Sequence, residues 1–283
     1  MKVVFFGSPL FAVPSLERIN QEHKVLRVIT TNPSFQRGRL IPTWVEKKAI
    51  ELRLPVSYSL EDIPEADVYV VVAFKILPRN IFSRPKKGTI NLHAAFLPDL
   101  RGAAPIEWAL IYGYSETGLT TFLIDDGVDT GKILLQEKVE ILEEDNLESL
   151  YLRMSGLGSG LISKTLKELD ILSPFEQSTF LKTKPAPKIT KETGQIDWKQ
   201  PAYRIRNLVR GYPGAWTTNG TKIWKTEIIG EKTLEPGIYR VEGENLLVGT
   251  GTTDISILEI QEPGKKRLKI GDYLHGCKRT EVL

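Results

Sequence analysis

The chain has one cysteine, Cys277, in 283 residues, which excludes an internal disulfide framework and a cysteine-built metal site. That usage fits a reducing compartment, so the cytoplasm is the expected location. Histidine is nearly as scarce, with only His23, His93 and His275, and no metal is expected. No apolar run approaches the roughly 20 residues that a membrane helix needs. A strand-like Lys2-Val3-Val4-Phe5-Phe6 begins at once, so no targeting peptide is expected. The glycine-rich phosphate loops of dinucleotide and P-loop folds are also missing. Gly7-Ser8-Pro9 is a turn rather than such a fingerprint, and Gly156-Leu157-Gly158-Ser159-Gly160 follows no strand, so no nucleotide cofactor is expected.

What is present is ordinary in bulk, with 41% hydrophobic residues, 26% charged residues and a net charge of +3. The length favours two domains. The charge is uneven: residues from 181 onward hold 18 Lys and Arg against 12 Asp and Glu, and the first 180 hold 20 against 23. An acidic half joined to a basic one is the asymmetry of a protein that does small-molecule chemistry in one part and holds a polyanion with the other. Basic residues that merely solvate a small domain give the same asymmetry.

The first half alternates strands and helices. Val3 to Phe6 and Val25 to Thr30 read as short buried strands around an amphipathic segment at Pro14 to Gln21, and Thr43 to Arg53 as a helix capped by Thr43. Asp67 to Ala73 is a continuous β-branched run, the pattern of a strand covered on both faces. Thr89 to Ala94, Leu119 to Ile124 and Ile133 to Val139 are further strands, with a helix at Ala104 to Tyr112. Asn146 to Leu172 reads as one long helix; its three glycines imply either close backbone packing or a break. The whole predicts a doubly wound, mainly parallel sheet, in which ligands sit at the carboxyl ends of the strands. Residues 1–182 form this domain, and residues 183–200, with Pro185, Pro187, Lys184, Lys188 and Lys191, form a basic linker. Residues 201–283 follow, with a helix at Tyr203 to Arg210. Short strands at Trp216 to Thr218, Lys222 to Ile229, Gly237 to Val241, Asn245 to Gly249 and Ser256 to Gln261 then predict a small antiparallel barrel.

The chemistry gathers between Asn91 and Gly131. Asn91 and His93 lie two apart on a predicted strand and so project from one face. Asp129 follows in Asp125-Asp126-Gly127-Val128-Asp129-Thr130-Gly131, a turn between two apolar runs. An amide and an imidazole that can hold a developing oxyanion, with a carboxylate that orients the base and moves protons, suit acyl-type transfer.

The string Asn91-Leu92-His93-Ala94-Ala95-Phe96-Leu97-Pro98-Asp99-Leu100-Arg101-Gly102-Ala103-Ala104-Pro105, with Glu116 to Thr120 and Gly127 to Gly131, resembles the folate-dependent formyltransferase family. Phe6 to Leu16, Ala186 to Thr190, Gly194 to Trp198 and Tyr212-Pro213-Gly214-Ala215-Trp216 extend the resemblance over nearly the whole chain. It implies a Rossmann-like catalytic domain, an OB-like C-terminal domain, a monomer, and 10-formyltetrahydrofolate as formyl donor. Asn91, His93 and Asp129 fall on the family's catalytic asparagine, histidine and aspartate. Phe74, Ile76, Leu77, Phe96, Leu97, Pro98, Arg101, Gly102, Asp125 and Gly127 fall around its formyl and folate pocket. Two segments depart from the family pattern. Val72 to Pro78 is one glycine shorter than the usual Val-Ala-Tyr-Gly-x-Ile-Leu-Pro, and Ala95-Phe96-Leu97-Pro98 with Asp99 replaces Ser-Leu-Leu-Pro with a basic residue.

The three catalytic positions are shared by relatives that formylate ribonucleotides or amino sugars, so they do not choose the acceptor. The branch of the family that this chain most resembles acts on initiator methionyl-tRNA. Asn32 to Pro42, with Arg37 and Arg39, is similar to that branch's loop against the acceptor arm; Leu40 stands where many relatives carry a further lysine. Lys188, Lys191, Arg210, Lys222, Lys225, Lys265 and Lys266 are the matching expectation in the basic half. An amino-sugar nucleotide formyltransferase and a catalytically inactive RNA-binding relative are the alternatives.

Overall fold

The computed structural model describes residues 1–36, 38–178 and 183–276. The chain divides into two compact units. One comprises Met1–Pro105, Glu116–Glu140 and Ser149–Ala186; the other comprises Ile106–Ser115, Ile141–Glu148 and the chain from Pro187 onward.

The first unit is built on a seven-stranded sheet. In chain order its strands are β1 (Lys2–Gly7), β2 (Lys24–Ile29), β5 (Val56–Ser57), β6 (Val68–Val72), β7 (Thr89–His93), β8 (Glu116–Leu123) and β9 (Ile133–Glu140). Between β2 and β5 lies a separate hairpin, β3 (Ser34–Gln36) with β4 (Arg39–Ile41). The sheet order is β5-β2-β1-β6-β7-β8-β9. The pairs from β5 through β7 are parallel, and β7, β8 and β9 pair antiparallel. The order reverses direction beside β1, the doubly wound arrangement that alternating strands and helices predict.

Helices α1 (Val13–Glu22), α2 (Trp44–Glu51) and α3 (Arg79–Phe82) connect the parallel strands. Thr43 caps α2 as expected, with a full capping box: its hydroxyl accepts from Glu46 N at 3.0 Å, and its own N–H reaches Glu46 Oε2 at 3.3 Å. The central strands are apolar on both faces because both are covered. Val4, Phe6, Tyr69 and Val71 face Leu77 and Ile81, while Val3, Phe5 and Val70 are equally buried. The short helix α4 (Pro105–Ile111) follows the motif-bearing loop.

Helix α5 (Leu147–Glu168) runs unbroken through its three glycines. Only Gly158 has a packing reason. A Cβ there would stand 2.9 Å from Leu92 Cδ2 and 3.6 Å from Leu119 Cδ2, whereas Gly156 and Gly160 face open space. Gly158 therefore lets α5 press on the back of β7, the strand that carries Asn91 and His93.

The second unit has α6 (Ala202–Gly211) and an antiparallel sheet of β10 (Ala215–Trp216), β11 (Lys222–Ile228), β12 (Tyr239–Glu242), β13 (Asn245–Val248), β14 (Ile255–Gln261) and β15 (Leu268–Lys269), followed by α7 (Ile270–Gly276). Ile223, Leu246, Ile255, Ile257 and Ile260 from the sheet, with Ile205 and Val209 of α6 and Tyr273 of α7, make one core. The body is barrel-like, and among the described residues no ladder joins β10 to β12. Strand β15 and helix α7 fall where the sequence shows mainly a lysine cluster. Among the described residues, no helix is long and apolar enough to cross a membrane.

Glu22 ties α1 to α5. Burial pushes its carboxyl up, but hydrogen bonds from Ser163 Oγ (2.5 Å), Lys167 Nζ (3.0 Å) and Arg18 Nε (2.8 Å) outweigh burial and hold its pKa at about 2. A depressed carboxylate stabilises the fold above its unfolded pKa, and that contribution is lost as pH falls from about 4.5 towards about 2. Screening by solvent keeps it near 1 kcal/mol. Thermal unfolding of wild type and Glu22→Gln will show the variant less stable at pH 7, with the gap narrowing below about pH 4.5 and closing only as pH approaches about 2.

Candidate active site

The site forms at the carboxyl end of β7. Asn91 and His93 sit on one face of that strand because they are two residues apart. His93 is 6% exposed, and its Nε2 lies 3.0 Å from the carbonyl oxygen of Leu100. A carbonyl only accepts, so Nε2 carries the hydrogen and Nδ1 is the ring nitrogen turned towards Asp129. Nδ1 lies 3.8 Å from Asp129 Oδ2. That same Oδ2 accepts a hydrogen bond from Gly102 N at 3.0 Å.

Four local features of the chain make this possible. The β8–β9 connection closes tightly at Gly131, where a Cβ would come within 1.7 Å of the Leu123 carbonyl oxygen. Asp125 Oδ1 accepts from Gly127 N at 3.0 Å and from Thr130 Oγ1 at 2.7 Å, which folds the turn back on itself. Asp129 then adopts a left-handed backbone, φ 54°, which a short polar residue tolerates better than most. On the other side, Gly102 has φ 129° and lies so close to Ala186 that a Cβ would be 2.3 Å from its carbonyl oxygen. Only glycine presents its N–H to Asp129 from that position.

Asn91 and Asp129 open into a cleft of about 360 Å³ with apolar walls from Phe74, Ile76, Leu77 and Phe122, and with Asp125, Asp126 and Gly127 along its edge. The Asn91 carboxamide makes no hydrogen bond among the described residues. It remains available to a bound group. Ala73 has φ 47° at the entrance to the Phe74–Leu77 wall, so the segment that is one glycine short of the family pattern turns on an alanine held in the left-handed region.

Of the residues expected around the pocket, Phe74, Ile76, Leu77, Asp125 and Gly127 line the cleft. Phe96, Leu97 and Pro98 do not. Phe96 packs against Gly118 and lies beneath Lys138 Nζ at 5.8 Å, Leu97 joins Phe122 and Ile133 in a small core, and Pro98 is buried. Of the three, Leu97 backs the cleft through Phe122, which lines it. Gly102 acts through its backbone. Arg101 is held by its guanidinium on Gln177 Oε1, with Nε at 3.0 Å and Nη2 at 2.5 Å.

The basic residues divide as well. Arg37 lies outside the described residues, and Arg39 is exposed on β4. Lys191 and Lys222 are exposed beside Trp216 in a recess of about 530 Å³, with Lys191 Nζ 5.5 Å from the ring. Lys188, Lys225 and Lys266 are exposed, and Lys265 pairs with Glu262. Arg210 differs from these. Its guanidinium donates to the carbonyls of Asp145 (2.6 Å) and Leu142 (2.7 Å), and burial lowers its pKa. It is a structural brace.

Two contributors escape the sequence reading. One is the Leu100 carbonyl, which no motif can reveal as the histidine's acceptor. The other is Gln177, in a stretch without periodicity and far from any motif; no spacing rule points to it.

A strand-end imidazole, an uncommitted amide and a carboxylate beside an apolar cleft define an enzyme of acyl-type transfer. The formyl transferase family model matches residues 1–166, and the model for the formyl transferase C-terminal domain matches residues 188–278. The chain belongs to the formyl transferase family. It is 41% identical to the methionyl-tRNA formyltransferase of Caldanaerobacter subterraneus subsp. tengcongensis, over 98% of this chain and 97% of that protein. It is 40% identical to that of Koribacter versatilis, over 98% and 96%. Among solved structures, an N-formyltransferase from Helicobacter canadensis in complex with folinic acid and dTDP-3-aminofucose shares the fold, with a TM-score of 0.72 and 21% identity over 91% of this chain and 98% of that one.

Removing one oxyanion donor from such a site typically costs about 3–4 kcal/mol, or about 100- to 1,000-fold in rate. Asn91→Ala and His93→Ala are each expected to lower kcat by that factor while leaving the unfolding temperature within a few degrees of wild type. Single-turnover kinetics with a formyl donor check both.

Proposed function

We propose that this protein transfers the formyl group of 10-formyltetrahydrofolate to the α-amino group of initiator methionyl-tRNA. The observation that carries this reading is near-complete coverage, at about 40% identity, by relatives named methionyl-tRNA formyltransferases, combined with an intact Asn91, His93 and Asp129 at one strand end. The cleft suits the donor. Phe74, Ile76, Leu77 and Phe122 offer apolar walls to a flat pteridine, and the Asp125–Gly127 edge offers carboxylates to its N–H groups.

In this reaction the neutral amine attacks the formyl carbon and a carbon–nitrogen bond forms. The carbonyl oxygen gains negative charge, then the bond to the folate nitrogen breaks and that nitrogen takes up a proton. Asn91 donates to the oxyanion through its carboxamide. His93 reaches the same oxygen through Nδ1, because Nε2 is occupied by Leu100. Nδ1 donates only when the ring carries both hydrogens, with Asp129 Oδ2 on that side as the counter-ion. The Asp129 carboxylate, fixed by Gly102, receives the proton lost by the attacking amine, directly or through one water.

Acceptor recognition falls to exposed basic groups. Arg37 and Arg39 serve the acceptor arm, and Lys188, Lys191, Lys222, Lys225, Lys265 and Lys266 serve the backbone of the tRNA. Arg210 is left out because its half-buried guanidinium is held by the carbonyls of Asp145 and Leu142. The corresponding division of the chain is a catalytic part at 1–182, a basic linker at 183–200 and a tRNA-binding part at 201–283, acting as a cytoplasmic monomer.

The test is formyl transfer from 10-formyltetrahydrofolate to charged initiator tRNA, beside a dTDP-amino sugar as competing acceptor. Transfer to the tRNA alone supports the reading, and transfer to the sugar alone overturns it. In the same assay Arg37→Ala and Arg39→Ala are expected to raise KM for tRNA severalfold and leave KM for the folate donor unchanged. Unaltered tRNA kinetics in both would remove that loop from acceptor binding.

A further inference from the structure

We infer that Gln177 is a positioning residue for Asp129, and that the acid–base function of the site depends on this one buried carboxamide. The inference rests on the reaction proposed above. Gln177 lies between the two stretches matched by family models, residues 1–166 and 188–278, so neither match reaches it.

Its side chain is 7% exposed. Nε2 donates to the carbonyl oxygens of Asp129 at 2.8 Å and Gly131 at 2.9 Å. Oε1 accepts from Arg101 Nε at 3.0 Å and Nη2 at 2.5 Å. A carboxamide has two N–H donors and two lone pairs, and all four are used. The arrangement also fixes which end is which. Turning the amide over would set its oxygen against two carbonyls and its N–H groups against a guanidinium.

The two ends of this amide reach Asp129 by separate routes. The donor end grips the main chain of Asp129, a residue held at φ 54°, where an L-residue stays only if its surroundings insist. The acceptor end holds Arg101, and the residue after Arg101 is Gly102, whose N–H fixes Asp129 Oδ2 at 3.0 Å. Backbone position and carboxylate direction are thus referred to the same group. Gln177 is itself held. Two residues earlier, Phe175 exchanges backbone hydrogen bonds with Ile133 at 2.8 and 3.0 Å, which anchors the segment to the edge strand β9. Without the amide, nothing else among the hydrogen bonds described fastens the Asp129 carbonyl, and the 3.8 Å separation from His93 Nδ1 loses its reference.

The test uses the full chain with two substitutions. Gln177→Leu removes both ends of the clamp. Gln177→Glu keeps the size and the acceptor for Arg101, but sets a carboxylate oxygen against the carbonyls of Asp129 and Gly131. A misplacement of about 1 Å typically costs about 100-fold in rate, so kcat is expected to fall between about 10- and 100-fold in each. KM for the folate donor and for tRNA is expected to stay within about threefold, since Gln177 does not line the cleft.

A merely structural role would lower the unfolding temperature and leave the pH profile of kcat in place. A positioning role moves that profile, because the geometry between His93 and Asp129 changes. The decisive readout is the double substitution. In an Asp129→Asn background, Gln177→Glu is expected to cost no more than about a further threefold, because the group it positions is already disabled. Independent, multiplicative losses would overturn the inference, as would an unchanged kcat in Gln177→Glu. Gln177→Glu carries the test alone if Gln177→Leu does not fold. Wild type inactive on methionyl-tRNA would instead refute the proposed reaction. Active wild type with indifferent variants would refute only the role of Gln177.

Discussion

A single loop holds both titratable groups of the site, and the rest of the arrangement depends on it. Between Pro98 and Gly102 the main chain offers one acceptor, the Leu100 carbonyl, to His93, and one donor, the Gly102 N–H, to Asp129. The loop is not left to itself. Leu100 N donates to Lys184 O at 2.9 Å, Ala186 N to Arg101 O at 2.8 Å and Ala104 N to Ala186 O at 3.2 Å, so residues 184–186 run beside it like an added strand. Backbone groups make good clamps because they cannot rotate away as side chains do, and buried ones must be paired in any case. The segment read from sequence as the start of a basic linker therefore begins as a support for the catalytic loop, within the first compact unit.

Strand β7 owes its position to packing on its far side. Leu92 faces α5 at Gly158, and a larger residue there would have to displace the Leu92 side chain on the strand that carries Asn91 and His93. Thr120 on β8 fixes the next layer. Its hydroxyl donates to Ala95 O at 2.7 Å and accepts from Leu97 N at 3.1 Å and from Gln136 Nε2 at 3.0 Å. Leu97 is thereby held against Phe122, which lines the cleft, although none of Phe96, Leu97 and Pro98 lines it.

Much of this was legible in the residues. The β-branched run from Val68 to Val72 announces a strand covered on both faces, Thr43 with Glu46 announces a helix start, and the spacing of Asn91 and His93 places both on one face. The Asp- and Gly-rich motif around Asp129 marks a turn. Other features were not legible, for physical reasons. A main-chain acceptor such as the Leu100 carbonyl has no residue type, so no sequence pattern encodes it. Gln177 works through long-range pairing with residues 101, 129 and 131 and lies in a segment without local periodicity. The Lys265 to Lys269 cluster reads as a charged surface, although Leu268 and Lys269 pair with β14 and lead into a helix whose Ile270 and Tyr273 enter the core. Charge dominated the local pattern there, and tertiary packing overrode it.

The central claim is that His93 is held through Nε2 by Leu100 and meets its substrate and Asp129 through Nδ1. The most direct measurement is the nitrogen NMR of the His93 ring in the intact protein, followed through its titration and repeated in Asp129→Asn. The structure predicts a hydrogen on Nε2, bonded to Leu100, with Nδ1 as the nitrogen whose signal responds to the loss of the carboxylate. A neutral ring carrying its hydrogen on Nδ1 would contradict the claim, because Nε2 would then have no hydrogen to give the Leu100 carbonyl.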